Sequence, residues 1–152
     1  MPTVWRIVKT KHAASAFDRE GARRSGGRWT SVGRRAVYAS STVALAALEM
    51  IAHLDSTVPL AAYTLIEVNV PESLITAVEL AALPSNWRQY PSPQELQAIG
   101  DSWLDAKRSA VLKVPSALVA VEYNYVINPQ HPDFALITTG PPLAFPLDPR
   151  LI

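Results

Sequence analysis

Short apolar runs rich in β-branched and aromatic residues, separated by proline, glycine and serine, constrain the fold of this chain most. Runs of this kind are typical of β-strands. They lie at residues 3–8, 36–40, 61–70, 110–115, 117–127 and 133–139. The predicted strands outnumber the helices and come in clusters, without strict alternation of strand and helix. The sequence therefore favours an α+β fold over a doubly wound parallel sheet.

The first predicted helix follows the strand at 36–40. Apolar residues recur at helical spacing between Ala44 and Ala52, and Ser40 or Ser41 is expected to be its N-cap. The strand therefore runs almost directly into the helix.

The second predicted helix begins at SPQE, residues 92–95. This sequence reads as a capping box, with Ser as the cap, Pro at the first helical position and Glu three residues after the cap. The helix should end near Lys107 or Arg108. The Pro-rich tail, about residues 140–152, is expected to lie extended over the surface, outside helix and sheet, with Phe145 docked.

The composition is that of one globular domain. The chain has 152 residues, of which 49% are hydrophobic and 18% charged, and it contains no Cys. This is enough for one core, so we expect a single domain over residues 1–152. The first residues lack the apolar core of a signal peptide, and no apolar run reaches the length of about 18 residues that a membrane helix needs. We therefore expect a cytoplasmic protein with no membrane segment.

Charge is unevenly distributed along the chain. Residues 1–35 hold nine Lys and Arg against two acids, whereas residues 36–152 hold five against eleven. A segregated basic segment suggests an anionic ligand such as a nucleic acid, a phosphate or a nucleotide, although a solvated basic face explains it equally well.

GGRW, residues 26–29, is suited to binding an anion. Glycine lets the backbone approach a ligand, and Arg28 presents a fork of donors that matches phosphate or carboxylate oxygens. The motif matches neither the Walker loop nor the Rossmann fingerprint. Taken alone, a turn with a surface arginine is its simpler interpretation.

Glu49 borders the apolar face of the first predicted helix. A carboxylate there is costly unless it is paired or placed at a cleft, so Glu49 is a candidate functional residue. The alternative is a border residue that contacts His53 four positions later.

Two further residues, Tyr38 and Ser116, are weaker candidates. The Tyr38 ring could stack on a heteroaromatic ligand, although such a residue is more often part of the core. Ser116 follows a proline between two predicted strands, where its hydroxyl could face a cleft or stabilise a turn.

Metal binding is not expected. The three histidines, His12, His53 and His131, lack metal-ligand spacing, and no cysteine could supply a thiolate.

Two long blocks of the sequence resemble a known family. GGRWTSVGRRAVYASSTVALAALEMIAHL at 26–54 and VLKVPSALVAVEYNYVINPQHPDF at 111–134 are similar to the RES-domain toxins of bacterial toxin–antitoxin systems. The Arg, Glu and Ser that give this family its name correspond to Arg28, Glu49 and Ser116.

The resemblance implies a fold and an activity. The fold would be like that of the ADP-ribosyltransferase toxins, with small β-sheets that form an NAD cleft flanked by helices. The activity would be NAD breakdown at the nicotinamide–ribose bond by hydrolysis or phosphorolysis, or ADP-ribosyl transfer to a protein. NAD would be a substrate, and no cofactor is implied. The partner would be an Xre-type helix-turn-helix antitoxin that blocks the cleft, with the toxin a homodimer in that complex.

The resemblance also suggests roles for individual residues. Arg28, Tyr38, Glu49 and Ser116 would be catalytic. Glu49 would stabilise positive charge on the ribose, and Ser116 would position the nicotinamide or its ribose. The residues expected to contact NAD are Arg6, Arg28, Trp29, Tyr38, Ser116 and Asn124.

Two alternatives from other functional classes stay open at this point. The basic N-terminal segment, with Trp5, Trp29 and Tyr38 as stacking surfaces, could belong to a nucleic-acid-binding module, although the toxin interpretation expects no direct nucleic-acid binding. The second is a regulatory protein whose cleft binds NAD without turning it over.

Overall fold

The computed structural model describes residues 2–17, 26–54 and 62–151, and a mixed β-sheet forms its centre. The elements in chain order are β1 (Thr3–Lys9), β2 (Val37–Ser40), α1 (Val43–Ala52), β3 (Tyr63–Asn69), β4 (Ile75–Ala77), α2 (Gln94–Ala106), β5 (Val111–Pro115), β6 (Tyr123–Ile127), β7 (Thr138–Thr139) and β8 (Leu143–Ala144). Short 3₁₀ helices lie at Thr10–Ser15, Glu72–Leu74, Leu80–Ala82, Pro132–Leu136 and Pro149–Leu151. The predicted α+β class is confirmed.

The sheet has two halves that meet at a narrow joint. The strand order is β4-β5-β6-β2-β1-β3-β7, and β8 also pairs with β3. Only β4 and β5 run parallel among these described strands. β1 and β2 share the register pair Trp5–Ser40, whereas β1 pairs with β3 along its whole length. The small sheets implied by the family resemblance are thus halves of one hydrogen-bonded path.

The central strands are covered on both faces, which explains why they are apolar without simple alternation. On β2, Val37 and Ala39 belong to one core, while Tyr38 faces a second core together with Ala36, which directly precedes the strand. On β5 the same division separates Val111 from Leu112. Tyr38 therefore faces the opposite side of the strand from Val37 and Ala39.

Helix α2 covers the second core. Its buried residues, Leu96, Gly100, Trp103 and Leu104, recur at helical spacing and form its apolar stripe. Gly100 is required for close packing, because a Cβ there would lie 1.6 Å from the carbonyl oxygen of Trp29. The helix ends at Lys107, which is left-handed with φ 52°, so its predicted end is confirmed.

The predicted caps of both helices are wrong. Thr42, not Ser40 or Ser41, caps α1, and its hydroxyl accepts a hydrogen bond of 3.0 Å from the Leu45 amide. Ser40 is buried on β2, where its hydroxyl donates to Asn124. At α2 the N-cap is Pro93, without a side-chain cap, so the capping box at 92–95 does not form.

Two predicted strands are shorter than expected. Within 117–127 only β6 is a strand. The Ser116 hydroxyl accepts hydrogen bonds from the Leu118 and Val119 amides, and these bonds fold the residues between Ser116 and β6 into a turn. Within 133–139 a 3₁₀ helix replaces most of the strand, and only β7 remains.

The Pro-rich tail adds to the sheet, contrary to the expectation that it would lie outside helix and sheet. Residues of β8 pair with β3, and the Phe145 amide donates to the Tyr63 carbonyl at 3.0 Å. Phe145 is half-buried there, in line with the expected docking.

Replacing Gly100 by Ala should destabilise the protein. The added methyl group would overlap the Trp29 carbonyl, so we expect a loss of about 3 kcal/mol in the free energy of unfolding, as for a severe overpacking substitution. Urea denaturation measures it. Ser102→Ala, on the exposed face of the same helix, is the control and should change stability by less than about 0.5 kcal/mol. A Gly100→Ala protein as stable as this control would contradict the packing.

Candidate active site

A cavity of about 780 Å³ opens between β1, β2, α1 and the loops around residues 26–29 and 88–92. This volume is in the range of small-molecule sites. The charged residues lining it are four cations, Arg6, Lys9, Arg28 and Arg88, and one carboxylate, Glu49. The aromatic residues lining it are Trp5, Trp29, Tyr38, Tyr63 and Tyr90. Arg28 and Glu49 therefore line the same cavity.

The Glu49 carboxylate is held by a donor at each oxygen. Ser116 donates from its hydroxyl to Oε1 at 3.3 Å, and Asn124 donates from Nδ2 to Oε2 at 3.0 Å. Because the donors engage different oxygens, they fix the orientation of the carboxylate plane. The predicted contact with His53 exists but involves the backbone, since His53 Nδ1 lies 2.7 Å from the Glu49 carbonyl oxygen.

The Ser116 hydroxyl has no bonding capacity left for a ligand. It is fully buried, donates its proton to Glu49, and accepts from the amides of Leu118 and Val119 at 3.1 Å each. A hydroxyl offers one donor and two acceptor lone pairs, so all three are used. In this structure the Ser116 hydroxyl contacts Glu49 and the turn after β5, and its expected contact with the substrate stays a prediction.

Asn124 reaches Glu49 because β2 and β6 are paired in register. Ser40 lies opposite Asn124 in this pair, and its hydroxyl donates to Asn124 Oδ1 at 2.7 Å. That bond fixes which end of the amide faces Glu49. Asn124 also lines the cavity, so its prediction as a site residue agrees with its position.

Arg28 is anchored by the opposite loop. Its Nη1 donates to the carbonyl oxygens of Trp87 at 3.0 Å and Gln89 at 2.9 Å. Partial burial lowers the pKa of the Arg28 guanidinium from its ordinary value, while the charge of Glu49 acts in the opposite direction. This electrostatic influence is a sign that the two groups lie near each other.

Contacts from two sides hold the loop that carries Arg28. Gln97 on α2 donates from Nε2 to the carbonyl oxygens of Gly27 at 3.0 Å and Thr30 at 3.3 Å. The Thr30 hydroxyl lies 2.6 Å from the Tyr38 hydroxyl. A Cβ at Gly27 would lie 2.7 Å from that same hydroxyl, so the loop requires glycine for close approach.

The remaining predicted site residues divide into two groups. Arg6 lines the cavity and donates from Nη1 to the Tyr38 carbonyl oxygen at 2.7 Å. Trp29 also lines the cavity but is only 2% exposed, because it packs in the second core with Leu96 and Trp103. Its expected contact with NAD stays a prediction.

The described cations of the basic N-terminal segment do not all face the cavity. Arg6, Lys9 and Arg28 line the cavity, whereas Arg34 forms an ion pair with Asp105 on α2. Arg19, Arg23 and Arg24 lie outside the described residues. Part of the charge asymmetry thus belongs to the cleft and part stabilises the fold.

Sequence reasoning missed the loop opposite Arg28. Arg88 lines the cavity, and its Nε donates to the Ala117 carbonyl oxygen at 3.1 Å. Gln97 was also missed. Neither residue belongs to a motif that distinguishes it from an ordinary polar surface residue, so only the fold identifies them.

Comparison with known proteins identifies the family. The family model described as RES domain matches residues 3–148. The chain belongs to the RES domain family.

Relatives cover nearly the whole RES domain of this chain. Toxin Res of Yersinia enterocolitica is 37% identical over 149 residues, which cover 97% of this chain and 98% of that protein. The Prs ADP-ribosylating toxin of a Sphingobium species is 39% identical over 154 residues, which cover 97% of this chain and 95% of that protein. The resemblance to RES-domain toxins is confirmed.

A solved structure shares the RES-domain fold. A chain of the Mycobacterium tuberculosis MbcT-MbcA toxin-antitoxin complex superposes with a TM-score of 0.74 at 19% identity, over 95% of this chain and 84% of that one. At this identity the likeness concerns the fold.

Two other kinds of site are absent from the described residues. No group of three or more His, Cys, Asp or Glu side chains in ranges 2–17, 26–54 and 62–151 could hold a metal ion. In the same ranges no helix has the length and apolar character required to span a membrane.

Replacing Asn124 by Asp should make the stability of the RES domain depend on pH. The new carboxylate would lie at hydrogen-bond distance from Glu49 Oε2, and two carboxylates this close cannot both ionise, which raises a folded-state pKa above its unfolded value. The variant should therefore approach wild-type stability below about pH 4 and lose roughly 2 kcal/mol as pH rises towards neutrality.

Urea denaturation at pH 4 and pH 7.5 measures this difference. Asn86→Asp, on an exposed loop, is the control and should show little pH-dependent change relative to wild type. An equal loss for Asn124→Asp at both pH values would contradict the contact with Glu49.

Proposed function

We propose that this protein is a toxin that consumes NAD by cleaving the bond between nicotinamide and ribose. The observation that carries the proposal is the convergence of Arg28 and a doubly held Glu49 carboxylate on one cavity. Membership of the RES domain family, and the names of relatives that match almost end to end, support it.

Glu49 would stabilise the transition state. When the C1′–N bond breaks, its electron pair goes to the nicotinamide ring nitrogen, neutral nicotinamide departs, and positive charge develops on the ribose. A fixed carboxylate beside the ribose stabilises that charge without reorganising. Ser116 and Asn124 would supply the fixed orientation, since they hold the two oxygens of Glu49.

The cations of the cleft would bind the pyrophosphate. Arg28 retains donors at Nε and Nη2, because its two described hydrogen bonds both use Nη1. Arg6 adds positive charge to the same cavity. Tyr38, half-buried at the cavity wall, is the aromatic candidate for contact with the nicotinamide or adenine ring.

The acceptor of ADP-ribose would be water, phosphate or a protein side chain. The name of the Sphingobium relative, an ADP-ribosylating toxin, favours including protein transfer among the outcomes tested. In each case a nucleophilic oxygen or nitrogen of the acceptor forms the new bond to C1′ as nicotinamide leaves.

The proposed partner is an antitoxin that covers the cleft. The solved structure that shares this fold is a toxin-antitoxin complex, which supports an antitoxin for this chain too. Its Xre type and a toxin homodimer within the complex rest on the family resemblance, and so does action in the cytoplasm. Co-purification with the product of the adjacent gene, and the molar mass of the complex in solution, would test the partner and the homodimer.

Purified protein should release nicotinamide from NAD, and Glu49→Gln should reduce the rate by about 100- to 1,000-fold. Glutamine keeps the shape of the side chain but removes the charge that faces the ribose. Chromatography of nicotinamide, with and without phosphate, measures the rate, and mass spectrometry of the ADP-ribose product identifies the acceptor. Glu79→Gln, an exposed carboxylate remote from the cavity, is the control and should retain the wild-type rate.

The outcomes separate the proposal from its rivals. Folded wild-type protein that binds NAD tightly but releases no nicotinamide would favour a regulatory protein. Salt-dependent binding to RNA or DNA without NAD turnover would favour the nucleic-acid module, which assigns no task to Glu49. Expression in a growing bacterium adds a second readout, since wild type should arrest growth and Glu49→Gln should not.

A further inference from the structure

We propose that Arg88 is a second anion-binding residue of the cleft, and that Arg28 and Arg88 together form two guanidinium forks that hold a pyrophosphate group. NAD as the natural carrier of that group rests on the proposed function. The pairing itself rests on the donors that each side chain retains and on the cavity that both line, and it does not require turnover.

Arg28 retains one fork after its structural contacts are made. A guanidinium has five N–H donors, one on Nε and two on each Nη. Both described hydrogen bonds of Arg28 use Nη1, towards the carbonyl oxygens of Trp87 and Gln89. Nε and Nη2 remain, and their parallel N–H bonds form the side of the guanidinium that suits two oxygens of one phosphate.

Arg88 retains the complementary fork. Its described hydrogen bond uses Nε, which donates to the Ala117 carbonyl oxygen at 3.1 Å. Nη1 and Nη2 remain, so the end of this guanidinium can also bind two oxygens. The side chain is exposed and lines the cavity, and a ligand in the cleft could therefore reach it.

The same loop links the two arginines. Arg28 donates to the carbonyl oxygens of the two residues that flank Arg88 in the chain. Arg88 donates to the carbonyl oxygen of Ala117, and the preceding residue, Ser116, donates to the Glu49 carboxylate. The forks are therefore connected to each other and to the carboxylate through a short chain of hydrogen bonds. Such anchoring lowers the entropy that each arginine loses when it binds an anion.

The cleft carries an excess of positive charge that favours an anionic ligand. Among the described lining residues, four cations face one carboxylate. A pyrophosphate bridge carries two negative charges and four non-bridging oxygens, and two forks supply four donors for them. A single phosphate would leave one fork unused.

A purely structural role for Arg88, as a latch between two loops, is the alternative, and Arg88→Gln separates the two roles. Glutamine Nε2 follows the same number of side-chain bonds as arginine Nε, so it can still donate to the Ala117 carbonyl oxygen. It lacks Nη1, Nη2 and the positive charge. A latch predicts no change in anion binding in this variant, whereas the fork predicts a loss.

Calorimetric titration with inorganic pyrophosphate tests the inference without NAD turnover. Wild type should bind pyrophosphate more tightly than orthophosphate, and Arg88→Gln should weaken pyrophosphate binding by about tenfold with an unchanged melting temperature. Arg108→Gln, an exposed arginine outside the cavity, should bind as wild type does. ADP-ribose should show the same ranking of variants.

Wild-type affinity for pyrophosphate in Arg88→Gln would overturn the inference, and so would absence of pyrophosphate binding by wild type. Either result leaves the proposed function standing if NAD is still cleaved. Conversely, Arg88-dependent pyrophosphate binding without nicotinamide release would preserve the inference and reject the NAD-cleaving activity. Arg88→Lys, which keeps the charge but not the fork, should fall between wild type and Arg88→Gln.

Discussion

The hydrogen bonds that hold the Glu49 carboxylate tie the structure of the cleft together. Through Asn124 they join α1 to β6, and through Ser116 they join α1 to the turn after β5. A carboxylate at the edge of an apolar helix face would be costly without partners, and here both oxygens have one. The hydrogen bonds that offset the cost of burying the Glu49 carboxylate also fix its orientation. The same two contacts therefore contribute to the stability of the fold and to the geometry of the site.

Arg28 has an equally double role. With Nη1 it orders the loop that contains Trp87 and Gln89, and with its remaining donors it faces the cavity. Gln97 then fixes the backbone around Arg28 from α2. The RES domain therefore places its charges with backbone and amide contacts, and these contacts come from elements distant in sequence.

Much of the fold could be predicted from local patterns. β1, β2, β3 and β5 follow from β-branched and aromatic runs, and the end of α2 follows from loss of the apolar stripe. The misassigned segments are those where a side chain competes with the expected backbone pattern, as Ser116 does when it caps the turn before β6. β8 also forms against the expectation from the sequence, because pairing with β3 makes a strand of a proline-rich segment that has no local strand pattern.

The candidate site was predictable in part, for a different reason. Glu49 could be proposed because a carboxylate beside an apolar stripe is unusual in any helix, and Arg28 because glycines precede it. The buried state of Trp29, the saturated hydroxyl of Ser116 and the position of Arg88 depend on contacts between distant segments. Contacts between segments so far apart in the sequence leave no recognisable pattern in the residues around either partner.

The close approach of Gly27 to Tyr38 has an evolutionary consequence. A side chain at 27 and a tyrosine hydroxyl at 38 would compete for one space, because the nearest tyrosine atoms lie 2.7 and 2.9 Å from the Cβ that glycine lacks. Substitutions at the two positions are therefore coupled: a homologue with alanine at the first should carry at the second a side chain that places neither a hydroxyl nor a ring in that space. The residues at positions 27 and 38 of a homologue therefore indicate whether the loop that carries Arg28 has the same conformation there.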